Sequence, residues 1–464
     1  MRFSLNSLRI VLAACVFVLL SLASEFCLAV DLKVATFKVD VTPPIGSPLS
    51  FGAVPPMSGI NDPLTARGII LQADDQKPVV LVAVDWVGIG NEGHDAWREA
   101  IAQACHTSID RVSVHCLHPH DAPGCDFLED RISATVGLNG QTFPVEFARE
   151  AIDRVAAAAA VAHTKLEPVT EVGYGQGIVE KVASNRRVLQ ADGKVHATRF
   201  TACKDPELIA APEGTIDPNV RLVSFWNGDR SLAVLSYYAT HPQSYYYTGK
   251  VSVDFPGMAR EEREAAERTD LHIHFNGAGG NIGAGKYNDG SHANRPVLAG
   301  RLAEGMKRAW EATKKTPVKD LSFDWSTQFV SLPLANWLDE ADLRKTLNDE
   351  SQPSNRRIQA ASELAYAQRV KEGDEICIGR LRLGPIDIIH MPGELFVEYQ
   401  LAAQKLRPDA FVCMAAYGDY GPGYIGTAVA YTQGGYETGA DSRASLVSPR
   451  AEAILTEAMQ KLLQ

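Results

Sequence analysis

A mixed α/β fold, with β-sheets flanked by helices, is predicted by three features of the sequence. Short runs rich in Val and Ile alternate with longer segments whose apolar residues recur every three or four positions. No long Pro/Ser/Gly linker, internal repeat or low-complexity tract interrupts the chain, apart from the alanines at 156–160. The composition, 45% hydrophobic and 22% charged over 464 residues, is ordinary for a globular protein and ample for one large core or two smaller ones. One catalytic-size unit over residues 30–464 is therefore expected.

The elements follow in chain order. "LKVATFKVDVT" alternates apolar and polar residues as a half-buried strand does, and "PPIGSPLSFG" is a Pro/Gly turn region. "TARGIILQA" and "PVVLVAVDWVGI" read as strands, "GHDAWREAIAQAC" as a helix and "RVSVHCL" as a strand. "VEFAREAIDRVAAAAAVAHTKL" is a long alanine-rich helix. Residues 171–250 are mostly strands and loops, with "RLVSFWNG" and "SLAVLSYYATH" joined by a turn. "MAREEREAAER" and "RPVLAGRLAEGMKRAWEAT" are helical, and "DLSFDWSTQFVSLPL" is strand-like. A charged, helix-prone excursion covers 337–371. "ICIGRLRLGPIDIIHM" forms a strand pair around Gly-Pro, feeding the helix "LFVEYQLAAQKL", and "SPRAEAILTEAMQKLL" closes the chain as a helix.

Arg2 and Arg9 precede the apolar run "IVLAACVFVLLSLASEFCLA", which ends in small residues at Cys27 and Ala29. That is the pattern of a cleaved secretory leader over 1–29, and it implies a secreted or periplasmic protein. Glu25 inside the run argues against an uncleaved anchor. The net charge of −11 becomes one unit more negative once the leader is gone, a poor match for nucleic acid or anionic membranes. A small-molecule or neutral-lipid substrate fits better. Six cysteines follow the leader (Cys105, Cys116, Cys125, Cys203, Cys377 and Cys413). They lack CxxC spacing, so a cysteine-based zinc site is not expected, and their positions indicate no disulfide pairing.

Four segments carry residues suited to chemistry. In "SVHCLHPHDAPG", His118 and His120 stand one residue apart just past a strand. On an extended backbone, both rings would face one side and could serve a metal. His241, in "YYATHPQS", repeats the arrangement of a strand followed by His-Pro; Asp254 downstream could orient it. Glu394, in "MPGELF", is placed at a helix start, where the helix dipole favours a carboxylate. "AYGDYGPGYIGTAVAYTQGGYE" gathers tyrosines among glycines, and a phenolate there would need a neighbouring cation. Each segment also has a plain structural reading. Arg186 and Arg187 stand in a loop that binds a substrate oxygen or is simply solvated. The glycine-rich "FNGAGGNIGAGKYNDG" is not a phosphate loop, since Tyr287 follows Lys286 where Ser or Thr is required. A wall that lets substrate approach the backbone is the better reading. No G-x-S-x-G elbow is present.

Taken in order, these segments resemble the catalytic domain of the neutral, non-lysosomal ceramidase family. "HPHDAPG" resembles that family's His-x-His-Ser-Gly-Pro-Gly, "SNRR" its Asn-Arg-Ser-Pro, and "ATHPQS" its His-Pro-Thr-Ser. "MPGELF" resembles Pro-Gly-Glu-Phe, and "GYIGTAVAYTQGGYE" the late tyrosine segment. The resemblance implies a single Zn2+ held by His118, His241, Glu394 and Tyr424. It casts His120 as a supporting or acid/base histidine, Arg186 as a substrate-side arginine, Tyr436 as an oxyanion donor, and His115 as a strand residue. The implied reaction is metal-assisted hydrolysis of an N-acyl amide such as ceramide, with zinc activating water and polarising the carbonyl. Peripheral contact with a membrane would accompany a lipid substrate.

The sequence departs from the family in three places. Ile282 stands near the position of an active-site serine, "HDAPG" replaces His-Ser-Gly-Pro, and no C-terminal immunoglobulin-like domain is expected. The alternatives are therefore a non-catalytic scaffold binding a lipid or glycan, a metal-dependent esterase, or an amidase for N-acyl sugars or peptides.

Overall fold

The computed structural model describes residues 30–464; the predicted leader, 1–29, lies outside the described residues. Three sheets dominate. The first is five-stranded, in the order Val112–Cys116, Val79–Val84, Thr65–Ala73, Leu32–Asp40, Glu167–Pro168. The second, also five-stranded, runs His272–Asn276, Arg230–Tyr238, Asn219–Asn227, Glu171–Ile178, Lys314–Pro317. The third has four strands, Phe323–Val330, Ile376–Leu383, Ile386–His390, Phe411–Ala415.

One pattern recurs in all three. Antiparallel neighbours lead into a strand that crosses through a helix to a parallel partner. Val79–Val84 crosses through the helix Asn91–Ala104 to Val112–Cys116. Arg230–Tyr238 crosses through Asp254–Glu267 to His272–Asn276. Ile386–His390 crosses through Val397–Leu406 to Phe411–Ala415. No sequence repeat announces this threefold recurrence, because each unit keeps only the pattern of apolar positions.

The sheets pack together because their strands are apolar on both faces. Leu71, Leu81, Val223, Leu235, Leu381 and Ile388 meet in one buried cluster between the three sheets. Helices cover the outer faces; Leu298, Leu302 and Met306 of Asn294–Glu311, for example, pack against Val220, Leu222 and Val234. The charged excursion forms the helices Glu340–Asn348 and Ser354–Glu372. Among the described residues the six cysteines are unpaired and no helix is long and apolar enough to cross a membrane. The carboxyl ends of the parallel strands converge, where ligand sites form in α/β proteins.

Candidate metal centre

The chain leaves the first sheet at Cys116 and turns sharply. His118 has φ 71°, a left-handed conformation rarely held by a residue with a side chain. The expected extended backbone through His118 and His120 is therefore absent. The two rings meet, with centroids 4.9 Å apart, because of the turn and not because of strand alternation. The turn is held by Leu117 and His118 amides donating to the Val84 and Trp86 carbonyls at 2.8 and 3.0 Å.

His241 follows the strand Arg230–Tyr238, the first strand of the parallel pair in the second unit, whereas His118 follows the second strand of its pair. Its amide donates to the Ile282 carbonyl at 3.0 Å. Glu394 follows the strand Ile386–His390 in the third, but not in a helical first turn. The helix starts at Val397, and Glu394 belongs to a two-residue strand paired in parallel with Tyr424–Ile425, its register partner being Tyr424 itself. Two residues thirty positions apart are thus fixed side by side by backbone pairing, where a helix dipole had been expected to act.

These side chains converge. Nε2 of His241 lies 2.9 Å and Nε2 of His118 3.5 Å from Glu394 Oε2, with all three residues buried. The Tyr424 hydroxyl is 3.2 Å from His241 Nε2. The other ring nitrogens are already committed. His118 Nδ1 donates to the Val87 carbonyl, and His241 Nδ1 donates to the Gly279 carbonyl at 2.8 Å. A carbonyl can only accept, so each Nδ1 carries a proton, and a neutral ring in that tautomer turns its lone pair toward Glu394 Oε2. Burial, reinforced by Arg186, pushes the His241 pKa down to about 4, which opposes a second proton there.

Acceptors therefore face acceptors, and His118 Nε2 and Glu394 Oε2 have no hydrogen-bond partner. A cation is the complement such a cluster lacks. Zinc bonds of about 2.0–2.1 Å place tetrahedral donors about 3.3 Å apart. The separations of 2.9, 3.5 and 3.2 Å around His241, His118, Glu394 and Tyr424 fit that spacing. The carbonyls of Val87 and Gly279 orient the rings, a task for which Asp254 had been considered. Asp254 instead accepts from the Ser244 amide at 3.0 Å and pairs with Arg295 at 3.2 Å, bracing the loop after His241.

Four contributors were not singled out in the sequence. Tyr420 donates its hydroxyl to Glu394 Oε1 at 2.7 Å. Gln243 places Nε2 3.1 Å from His120 Nδ1. Glu437, fully buried, lies 3.0 Å from Arg186 and 2.9 Å from Arg187. The Val87 carbonyl is the fourth. Only the clustering of tyrosines and the Arg-Arg pair hinted at any of them.

Arg186 is buried, not in an open loop; its Nη2 donates to the Tyr424 hydroxyl at 3.1 Å and the Gly280 carbonyl at 2.9 Å. Burial opposes its charge, but the Tyr424 oxygen and Glu437 outweigh that and raise its pKa. Burial in turn drives the Tyr424 phenol well above 10, with Arg186 pulling the other way. Tyr436 stands at the rim, 43% exposed, its ring 5.8 Å from that of Tyr424 and 5.5 Å from Phe200. Tyr246 is also exposed, its ring 5.3 Å from that of His120.

The glycine-rich segment is not a wall facing substrate. A Cβ on Gly280 would stand 2.2 Å from the Glu394 carbonyl, and one on Gly279 3.0 Å from the Thr240 backbone. These glycines let the loop wedge between the His241 and Glu394 segments. Ile282 is buried among Val182, Ala183 and Leu298, so the loop offers no hydroxyl there. His115 is a strand residue, as expected, donating from Nδ1 to the Ala416 carbonyl at 2.8 Å and meeting His390 at 2.9 Å.

Three sheets with a buried imidazole–carboxylate cluster at the converging strand ends define an α/β protein with a site that could hold a metal ion. No family model and no curated protein matches the sequence. Among solved structures, the chain is similar to neutral ceramidase from Pseudomonas aeruginosa, with TM-score 0.66 and 16% identity, covering 94% of this chain and 74% of that one. It is equally similar to a ceramidase complexed with C2, with TM-score 0.66 and 16% identity, covering 94% and 75%. The fold is therefore ceramidase-like.

Proposed function

We propose that the protein is a zinc-dependent hydrolase of N-acyl amide bonds, with a ceramide-like lipid as its substrate. The observation that carries this reading is the convergence of the His118 and His241 Nε2 atoms on Glu394 Oε2, with no hydrogen-bond partner on His118 Nε2 or Glu394 Oε2. The ceramidase-like fold supports the reaction class.

Zinc held by His118, His241, Glu394 and Tyr424 supplies Lewis acidity and an activated water. The protein supplies the rest. The Val87 and Gly279 carbonyls keep both ligand rings in one tautomer. Arg186 stabilises negative charge on the Tyr424 oxygen, and Tyr420 holds the Glu394 carboxylate in place. Burial of the cluster excludes bulk water. His120 Nε2, enclosed and unpartnered beside the His241 ring, would donate to the reacting amide. Tyr436 and Tyr246 flank the entrance as substrate contacts.

Ile282 favours a second reading for the substrate. With no hydroxyl at that position, recognition of a ceramide head group would differ from that implied by family resemblance, and an N-acyl sugar or peptide would suit the aromatic rim. Metal analysis and hydrolysis of a panel of N-acyl lipids, sugars and peptides test both readings. Stoichiometric zinc with cleavage of ceramide supports the first. Cleavage confined to sugars or peptides supports the second, and a metal-free, inert protein refutes both. Export belongs to the same proposal, and a mature N-terminus at Val30 is the expected result of N-terminal sequencing.

A further inference from the structure

Three imidazoles, His118, His120 and His241, offer ring nitrogens within 4.8 Å of one another, so His120 is placed to become a further ligand. Its hydrogen bonding differs from that of the other two. His118 and His241 each meet a backbone carbonyl at Nδ1, whereas His120 meets the Nε2 of Gln243 at 3.1 Å. An amide nitrogen can only donate, so His120 Nδ1 must accept, and the proton of the neutral ring is left on Nε2. That Nε2 is enclosed and has no partner.

We propose that Gln243 locks His120 as an Nε2–H tautomer, keeping this third imidazole out of the metal's ligand set. His120 then serves as a hydrogen-bond donor to the oxyanion that develops on the substrate carbonyl. The inference rests on the amidohydrolase reading and revises the acid/base role expected for His120. With Nδ1 engaged as an acceptor, the ring is arranged to donate a hydrogen bond and not to accept a proton. Gln243 is a positioning residue, acting through His120. It is itself buried, held in the loop that Asp254 and Arg295 brace.

Gln243→Glu exchanges the amide donor for an acceptor. His120 should then move its proton to Nδ1 and turn a third lone pair toward His118 and His241. The expected result is zinc affinity raised about tenfold or more while kcat falls by about 10²–10³-fold, the usual cost of a lost oxyanion donor. KM should change little. Gln243→Leu, which neither donates nor accepts, should lower kcat without raising zinc affinity. Loss of metal affinity and activity together in Gln243→Glu would mark a merely structural role and overturn the proposal.

The tautomer is read directly from nitrogen NMR of 15N-histidine-labelled, metal-free protein at mildly alkaline pH. This needs neither substrate nor variant. A protonated Nε2 on His120 in the wild type is expected, and a protonated Nδ1 overturns the inference even if zinc binds and amides are cleaved. Conversely, the expected tautomer in a protein that takes up no zinc preserves the positioning role of Gln243 and refutes the amidohydrolase reading.

Discussion

Asp85 and Glu394 are buried carboxylates at matching places in two of the three β-α-β units, each just past the first strand of its parallel pair. Their surroundings differ in one respect. Both oxygens of Asp85 are engaged by donors: Arg260 at 2.7 and 3.1 Å, and the amide and hydroxyl of Thr65 at 2.8 and 2.7 Å. Arg260 is itself fully buried, so this is an internal ion pair. Glu394 has one oxygen engaged by Tyr420, while the other faces two ring nitrogens that have no proton to give. A completed buried charge holds the fold together; an incomplete one is shaped to receive something.

Exchanging each carboxylate for its amide should separate the two most widely. Glu394→Gln removes the proposed anionic ligand, and the lost stabilisation of several kcal/mol corresponds to activity lower by on the order of 10³-fold. The metal-free fold should be as stable as the wild type, or more so, because an unpartnered charge has gone. Asp85→Asn should do the opposite, costing about 3–5 kcal/mol of stability by stranding Arg260, with zinc content per folded molecule unchanged. Urea unfolding and metal analysis of both variants suffice. If Glu394→Gln proves the less stable of the two, the contrast fails.

The two histidine pairs extend the comparison. His115 and His390 are hydrogen-bonded to each other, whereas His118 and His241 meet only ring to ring. Burial pushes the His115 pKa from the ordinary 6.5 down to about 4. Between those values the unfolded chain binds a proton that the native ring refuses. Stability present above 6.5 is therefore lost as pH falls toward 4, by about 3 kcal/mol at most for this group. His115→Asn should flatten that part of the stability–pH curve, and adding zinc should leave its share unchanged. A slope from His115 that zinc abolishes would show that the two pairs are not independent.

Much of this arrangement was legible in the sequence, for a physical reason. His118, His241 and Glu394 each stand just beyond an apolar strand and within two residues of a proline, and a strand end is where an α/β fold leaves side chains free to converge. The strands and helices themselves were legible because burial on both sheet faces demands nearly continuous apolar runs. Other features were hidden because tertiary contact creates them. The groups that orient the ligands are backbone carbonyls of Val87 and Gly279, which carry no side-chain signature. The left-handed turn at His118 is imposed by amide bonds to Val84 and Trp86. Glu394 was expected in a helical turn because the pairing that makes it a strand comes from Tyr424, across an intervening helix and strand. Gln243 reads as an ordinary loop residue until His120 is seen beside it.

The smallest effects should come from single hydroxyls. Tyr420 and Thr65 each donate one hydroxyl to a buried carboxylate oxygen, both at 2.7 Å. In Tyr420→Phe the ring remains stacked on Phe51, with centroids 5.8 Å apart, so packing is preserved and only the donor is lost. Glu394 Oε1 then has no other hydrogen bond to steady it, and zinc affinity should fall about tenfold, the lower end for a residue that orients a ligand. Thr65→Val deletes the matching hydroxyl at Asp85, where Arg260 and the Thr65 amide still hold the carboxylate. About 1 kcal/mol of stability should be lost, with zinc affinity untouched. Calorimetric zinc titration and urea unfolding of the two variants give four values, of which each variant should move one. If Thr65→Val weakened zinc binding as much as Tyr420→Phe does, the Asp85 network would belong to the metal centre, and the division between completed and incomplete charge would not hold.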